Sequence, residues 1–299
     1  MVRALAGWTG PRPVLHGHVE VIARAASLCG VPVPDAEVRP PAGVDDPFAH
    51  PGEAQLGQLR AAVAAARRGE LDALVTAPIQ KQTIAAAGFA FPGHTEFLGA
   101  EAGSDRVAML FAGPRLRVLL ATIHLPLVAV PAALTVEGLS GLIVLGVREL
   151  ARDFGIDRPR VAVTGLNPHA GEGGQLGHEE RAIIEPAMQE AREALSREGI
   201  AVDLRGPLPA DVAFRPALHG EVDLVVAMYH DQALIPVKLI DFEQTVNVTL
   251  GLPYVRTSPP HGTAHDIAWT GRADATPMRS ALDLAVALAA RRSSGVKRK

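Results

Sequence analysis

The sequence predicts an α/β protein of three layers, with helices on both faces of a largely parallel sheet. Two observations predict it. A periodic helical segment closed by glycine and followed at once by a short apolar run occurs three times, at 53–68 before 71–78, 136–154 before 160–164, and 179–198 before 200–204. Three apolar runs, at 115–123, 161–165 and 222–229, also each stop at a polar, turn-rich string that carries a histidine. Ligands of open α/β sheets bind outside the carboxyl ends of the strands, so the same runs point to candidate chemistry.

Taken in order, Glu53–Arg68 has Ala, Leu and Val at helical spacing, stops at Gly69 and feeds a strand ended by Pro78. Val136–Phe154 stops at Gly155 and leads into the strand Arg160–Thr164. Glu179–Glu198 stops at Gly199 and leads into Ile200–Leu204. The last helix is expected from about Pro277, with Thr276 as its N-cap, through the apolar stretch 281–290. Proline- and glycine-rich stretches at 31–52 and 205–220 read as surface loops, too short to tether independent domains.

Composition narrows the function classes. At 299 residues and 48% hydrophobic, the chain can bury a substantial core. A net charge of −3 carries no electrostatic footprint for nucleic acid, and the basic end Val296-Lys297-Arg298-Lys299 reads as a solvated terminus. The single cysteine, Cys29, excludes an internal disulfide and a cysteine-rich zinc site, and its apolar surroundings predict a buried thiol. No run of about 18 apolar residues suggests a membrane span, so a cytoplasmic protein is expected.

The strand-end histidines are His124, in His124-Leu125-Pro126, His169, in Asn167-Pro168-His169-Ala170-Gly171-Glu172-Gly173-Gly174, and His230, in Tyr229-His230-Asp231-Gln232. One histidine near a strand end is ordinarily a surface or hydrogen-bonded residue. Three delivered to one crevice are able to hold a divalent ion with a position left open for substrate. The glycines after His169 would let backbone and imidazole approach a ligand closely. No G-x-G-x-x-G or Walker string is present. In His261-Gly262-Thr263-Ala264-His265-Asp266-Ile267-Ala268, Asp266 is either a helix cap or a ligand contact.

That last string resembles the adenosine-binding loop of the isocitrate and isopropylmalate dehydrogenases. With Phe91-Pro92-Gly93-His94-Thr95-Glu96-Phe97-Leu98, the three histidine strings, Gly206-Pro207-Leu208-Pro209-Ala210-Asp211 and Val246-Asn247-Val248-Thr249-Leu250-Gly251-Leu252-Pro253, the chain resembles the 4-hydroxythreonine-4-phosphate dehydrogenase family of pyridoxal phosphate biosynthesis over about residues 45–290. The resemblance implies an isocitrate dehydrogenase-like fold of two lobes, 1–97 with 249–299 and 98–248, with the active site in the cleft of a homodimer. It implies a divalent metal (Zn, Co or Mg) on His124, His169 and His230. Substrate contacts are implied at His94, Thr95, Lys238, Asn247 and Arg256, with Lys81 a weaker candidate, and NAD contacts at His261, Gly262, Thr263, Ala264 and Asp266. The implied reaction is oxidation of 4-phosphohydroxy-L-threonine at C3 followed by decarboxylation. Its base is Lys238, Asp231 or a metal-bound water.

Asp266 would accept from a ribose hydroxyl and repel a 2′-phosphate, so NAD is expected over NADP. Pro260 and Trp269 depart from the family's usual aspartate and glycine, which bears on coenzyme affinity. The chain also opens without the family's first strand and Gly-Asp-Pro-Ala-Gly loop, so an in-frame upstream segment is expected to encode them and to improve stability and turnover. Competing readings are the same chemistry on another phosphorylated hydroxy acid or a dihydrodiol carboxylate, a metal hydrolase, and an inactive relative.

Overall fold

The computed structural model describes residues 1–296, and the rest of the basic end, 297–299, lies outside the described residues. The chain forms two compact units, Met1–Asp105 with Leu252–Ala289, and Arg106–Gly251 with the chain from Ala290. Its strands are β1 (Val14–His16), β2 (Glu37–Arg39), β3 (Ala73–Val75), β4 (Ala108–Ala112), β5 (Arg117–Leu120), β6 (Arg160–Thr164), β7 (Asp203–Leu208), β8 (Leu224–Ala227), β9 (Val246–Leu250) and β10 (Val255–Ser258).

In the first unit β1 pairs in parallel with β2, and β3 in parallel with β10, with Leu74 opposite Arg256. The helix Pro51–Arg67 starts with proline in its first turn, where the missing N–H costs nothing, and buries Leu56, Leu59 and Val63. The short helix Val2–Leu5 buries Ala4 and Leu5 against Leu15, Met278 and Leu282.

The second unit orders its strands β9-β4-β5-β8-β6-β7. Only β4 runs against its neighbours, because Gly113, Pro114, Arg115 and Leu116 close a tight hairpin to β5, with Gly113 N–H donating to Leu116 O at 2.8 Å. Every residue of β8 is fully buried, without the alternation of a one-sided sheet, as strands covered on both faces require. The helix Val136–Phe154 forms over the expected span. Thr135 caps it by accepting from Gly138 N–H, and Gly155 ends it at φ 69°, where glycine has no Cβ penalty.

Several expectations need correction. The strand expected at 200–204 occupies Asp203–Leu208, and Glu37–Arg39 is also a strand, so both stretches read as loops contain paired segments. Pairing across the sheet, Arg160 opposite Asp203 and Val14 opposite Glu37, overrides polar local sequence there. Residues Glu180–Ile184 form a π turn ahead of the helix Glu185–Arg197. Thr276 is the first residue of the last helix, and Asp274 caps it by accepting from the Thr276 N–H and hydroxyl at 2.9 and 2.8 Å. Cys29 is partly exposed at the end of the helix Val19–Cys29. Among the described residues no single helix is long and apolar enough to cross a membrane.

In the second unit Glu149 and Asp153, both nearly inaccessible, share Arg152 and Arg292. Burial pushes Glu149 up to about 7, against the pull of the arginines. Asp153 is desolvated too, but hydrogen bonds from Arg292 and Arg152 hold it below the usual carboxylate range. Above pH of about 4.5 the unfolded chain ionises Glu149 while the folded protein keeps its proton, so stability falls as pH rises from there to about 7 and then levels. The shift corresponds to a loss on the order of 3 kcal/mol. Glu149→Gln is expected to flatten this decline, read as melting temperature against pH. A decline of unchanged depth in the variant would rule Glu149 out as its source.

Candidate active site

The histidines of β5 and β8 meet because the parallel pairing of these strands continues past their ends. Ala121 N–H donates to Ala227 O at 2.8 Å, and the Thr122 hydroxyl donates to Met228 O at 2.7 Å. Two strands held in step to their last residues deliver the next side chains of each to one place. The rings of His124 and His230 lie with centroids 5.9 Å apart and planes tilted by 40°. Imidazoles sharing an ion through bonds of about 2.0–2.1 Å need roughly this separation.

His124 takes φ 28°, a region that L residues seldom adopt. His230 opens the helix His230–Asp241, and its Nδ1 lies 2.7 Å from Asp231 Oδ1. A proton held there on Nδ1 leaves the Nε2 lone pair facing outward, the tautomer a metal ligand requires. Gln232 joins the third strand end. Its Oε1 accepts from Met228 N–H and the Thr164 hydroxyl at 2.7 Å each, and its Nε2 donates to Gly165 O at 2.9 Å. The sequence does not single out Gln232 as this tie between strand ends, and its place after Tyr229-His230-Asp231 is the one signal of it.

His169 is in the same unit but does not join the pair. Among the described residues no group of three or more His, Cys, Asp or Glu stands together as a metal site. His169 begins a left-handed run in which His169, Ala170, Gly171, Glu172 and Gly173 have φ of 53°, 52°, 77°, 40° and 67°. Each non-glycine residue in that conformation costs about 1–2 kcal/mol. A buried carboxylate offsets the cost. Glu180, 2% exposed, accepts from Leu166 N–H and Asn167 N–H at 2.8 Å each and from Asn167 Nδ2 at 3.0 Å. Hydrogen bonds to a charged group are worth about 1.5–3 kcal/mol apiece. A Cβ on Gly171 would stand 2.6 Å from Glu180 Oε2, so glycine is needed there for space as well as for φ.

Of the other expected residues in this unit, Lys238 is exposed on the helix His230–Asp241, eight positions and about 12 Å of rise from His230. Asn247 lies in β9, and its buried Oδ1 has no hydrogen-bond partner among the described residues.

The first unit brings a second group together. His94 and Thr95 open the helix His94–Ala102, with Thr95 buried. Arg256, in the fully buried strand β10, donates from Nη2 to the Thr76 hydroxyl at 2.6 Å. Burial lowers its guanidinium to about 10. Burial, and then the Arg256 charge, push His94 down to about 3, so this imidazole is neutral at ordinary pH. A neutral donor or acceptor beside a buried cation suits a phosphate or carboxylate.

Lys81 is exposed at the start of the helix Lys81–Ala86. His261, Gly262, Thr263 and Ala264 form an exposed loop, and Asp266 sits in the short turn His265–Ile267. Trp269 comes next at φ 58° and turns its ring toward Phe48, at 6.1 Å between centroids, with the Arg24 guanidinium 4.9 Å from each ring.

The model of the family described as pyridoxal phosphate biosynthetic protein PdxA matches residues 15–285. The chain belongs to the PdxA family. Among relatives, a 4-hydroxythreonine-4-phosphate dehydrogenase of Desulfosudis oleivorans is 49% identical over 245 residues, covering 82% of this chain and 71% of that protein. The crystal structure of 4-hydroxythreonine-4-phosphate dehydrogenase from Klebsiella pneumoniae matches at TM-score 0.83 and 35% identity, over 96% of this chain and 92% of that one. A terephthalate 1,2-cis-dihydrodiol dehydrogenase from Burkholderia xenovorans matches at TM-score 0.64 and 33% identity, over 92% and 89%. The α/β architecture expected from the sequence is thus that of solved PdxA-family members.

Proposed function

We propose that this PdxA-family chain is an NAD- and divalent-metal-dependent dehydrogenase. It would oxidise 4-phosphohydroxy-L-threonine at C3 to the ketone, with NAD reduced to NADH and one proton released. The resulting β-keto acid would lose CO2 to give 3-amino-2-oxopropyl phosphate. The observation that carries the reading is the pair of imidazoles at 5.9 Å, one of them with its Nδ1 2.7 Å from Asp231 Oδ1.

His124 and His230 fit two positions of the ion, and His169 of a second copy of the chain would fill the third. Support for a homodimer comes from the helix His230–Asp241 and the residue after it. Ile235, Leu239 and Phe242, spaced to share one face, are 60%, 80% and 56% exposed. An ion held by these histidines would supply Lewis acidity to the C3 oxygen, and a coenzyme in the loop 261–266 would supply the hydride acceptor.

The remaining roles belong to side chains. His94, Thr95 and Arg256 bind an anionic end of the substrate, with Lys81 a weaker candidate for the same role. Asn247 supplies its open amide oxygen to a substrate donor. Asp231, beside His230, or a metal-bound water would take the C3 hydroxyl proton; Lys238, about 12 Å of helix rise from His230, is the more distant of the three candidates. The loop His261, Gly262, Thr263, Ala264 and Asp266 receives the coenzyme.

NADH release on adding 4-phosphohydroxy-L-threonine with Zn2+, Co2+ or Mg2+ tests the reading, and no release with any of them would end it. The likeness to the dihydrodiol dehydrogenase favours a second substrate class, so a cis-dihydrodiol carboxylate belongs in the same assay. Asp266 sets a further expectation. Its exposed carboxylate repels a 2′-phosphate, so NAD should be used more efficiently than NADP, and Asp266→Asn should narrow the ratio of kcat/KM values. Equal use of both coenzymes by the unmodified protein would remove this role.

A further inference from the structure

We infer that Glu180 is a positioning residue for the metal centre, holding the left-handed run in the shape that presents His169 to a divalent ion. The inference rests on the proposed metal role of His169. That imidazole is 70% exposed, and its ring contacts Glu172 at 3.4 Å. Such a loose contact does little to orient the ring, so its position depends on the backbone beneath it. The backbone is gripped immediately ahead of Pro168-His169, where the Glu180 carboxylate accepts two successive main-chain N–H groups.

The Asn167 side chain completes the grip. Its Nδ2 donates to Glu179 Oε2 at 2.8 Å and to Glu180 Oε2 at 3.0 Å, which uses both amide hydrogens. Its main-chain carbonyl accepts from Ala170 N–H at 3.1 Å and closes the turn. Glu180 itself opens the π turn Glu180–Ile184, a local widening of the helix that recurs at functional sites.

Three donors converge on this carboxylate, so an amide is a poor substitute. Glutamine would turn its own N–H2 toward at least one of them. Close glycines leave no slack for a shift, since a Cβ on Gly165 would lie 3.1 Å from Glu180 Oε1 and one on Gly177 only 2.3 Å from Asn167 Nδ2. A carboxylate buried at this cost, away from the proposed proton transfers, has the loop as its function.

The test compares Glu180→Gln with His169→Ala in the full chain, using Co2+ as the probe. Loss of an outer partner of a metal ligand costs about 10–100-fold in metal affinity. Glu180→Gln should weaken Co2+ binding by that factor, speed amide exchange over residues 166–174 in the metal-free protein, leave the KM for NAD unchanged and recover kcat at saturating Co2+. Recovery separates positioning from general misfolding, and Glu180→Asp, which keeps the charge but falls short of the donors, serves as the second variant if the first is insoluble.

Unaltered exchange over 166–174 in Glu180→Gln overturns the inference whatever His169 does. Faster exchange with unchanged Co2+ affinity, while His169→Ala loses affinity, also overturns it and leaves the metal reading standing. Unchanged affinity in His169→Ala removes the metal role of His169 and the inference with it.

Discussion

Replacing His230 with alanine is expected to lower turnover by about 1000-fold or more with little change in fold. Its side chain is 39% exposed, so truncation opens no core cavity, and the Gln232 bonds that lock the ends of β6 and β8 remain. The substitution removes one of the two imidazoles that face each other at 5.9 Å. Metal stabilisation of a developing oxyanion is worth several kcal/mol, and about 4 kcal/mol corresponds to a factor of about 1000. Bound metal by elemental analysis, NADH formation and circular dichroism measure the three parts of this expectation. Asp231→Asn should give a milder loss, about 10–100-fold in metal affinity, because the ring then loses its tautomer control. A His230→Ala protein with full metal content and normal turnover would sink the metal reading of this pair.

The second large effect is expected at Arg256. A guanidinium 2% exposed and lowered to about 10 by burial is costly to keep in the core. Its proposed role is to bind an anionic end of the substrate beside His94. Arg256→Met preserves much of the volume and removes the charge, so the melting temperature should hold within a few degrees while substrate KM rises. Two charge-assisted hydrogen bonds at about 1.5–3 kcal/mol each imply a rise of at least about 100-fold. With the Arg256 charge gone, one of the two causes of the low His94 value disappears, so His94 should titrate higher, which NMR of the imidazole would register. A variant that loses stability heavily and keeps its KM would make Arg256 a core residue and nothing more.

Much of the helical framework was legible because its signals are local. The helix Val136–Phe154 carries its own cap at Thr135 and its own stop at Gly155, and its apolar spacing is a property of the segment alone. The short strands were harder. Glu37–Arg39 and Asp203–Leu208 carry polar or turn-forming residues, Asp203, Arg205, Gly206 and Pro207 in the second, and are strands because a parallel neighbour supplies their hydrogen bonds. Family strings pointed to a metal role for His124, His169 and His230, yet none of them signalled that Gln232 ties two strand ends together. Nor did they show that Glu180 lies under the loop.

By itself, the sequence determined the α/β class, the family, and which residue types stand at the ends of the strands, since periodicity, caps and contiguous strings are written in neighbouring positions. Tertiary structure alone decided which of those residues meet. His124 and His230 are 106 positions apart and share a site because β5 and β8 pair in parallel register, Val118 with Val225. His169 stands apart from them because β6 ends in a left-handed turn, a conformation that L residues adopt at a cost and that here depends on a buried carboxylate from another segment. Convergence of side chains is a non-local property, set by strand register and by the backbone strain that packing can hold.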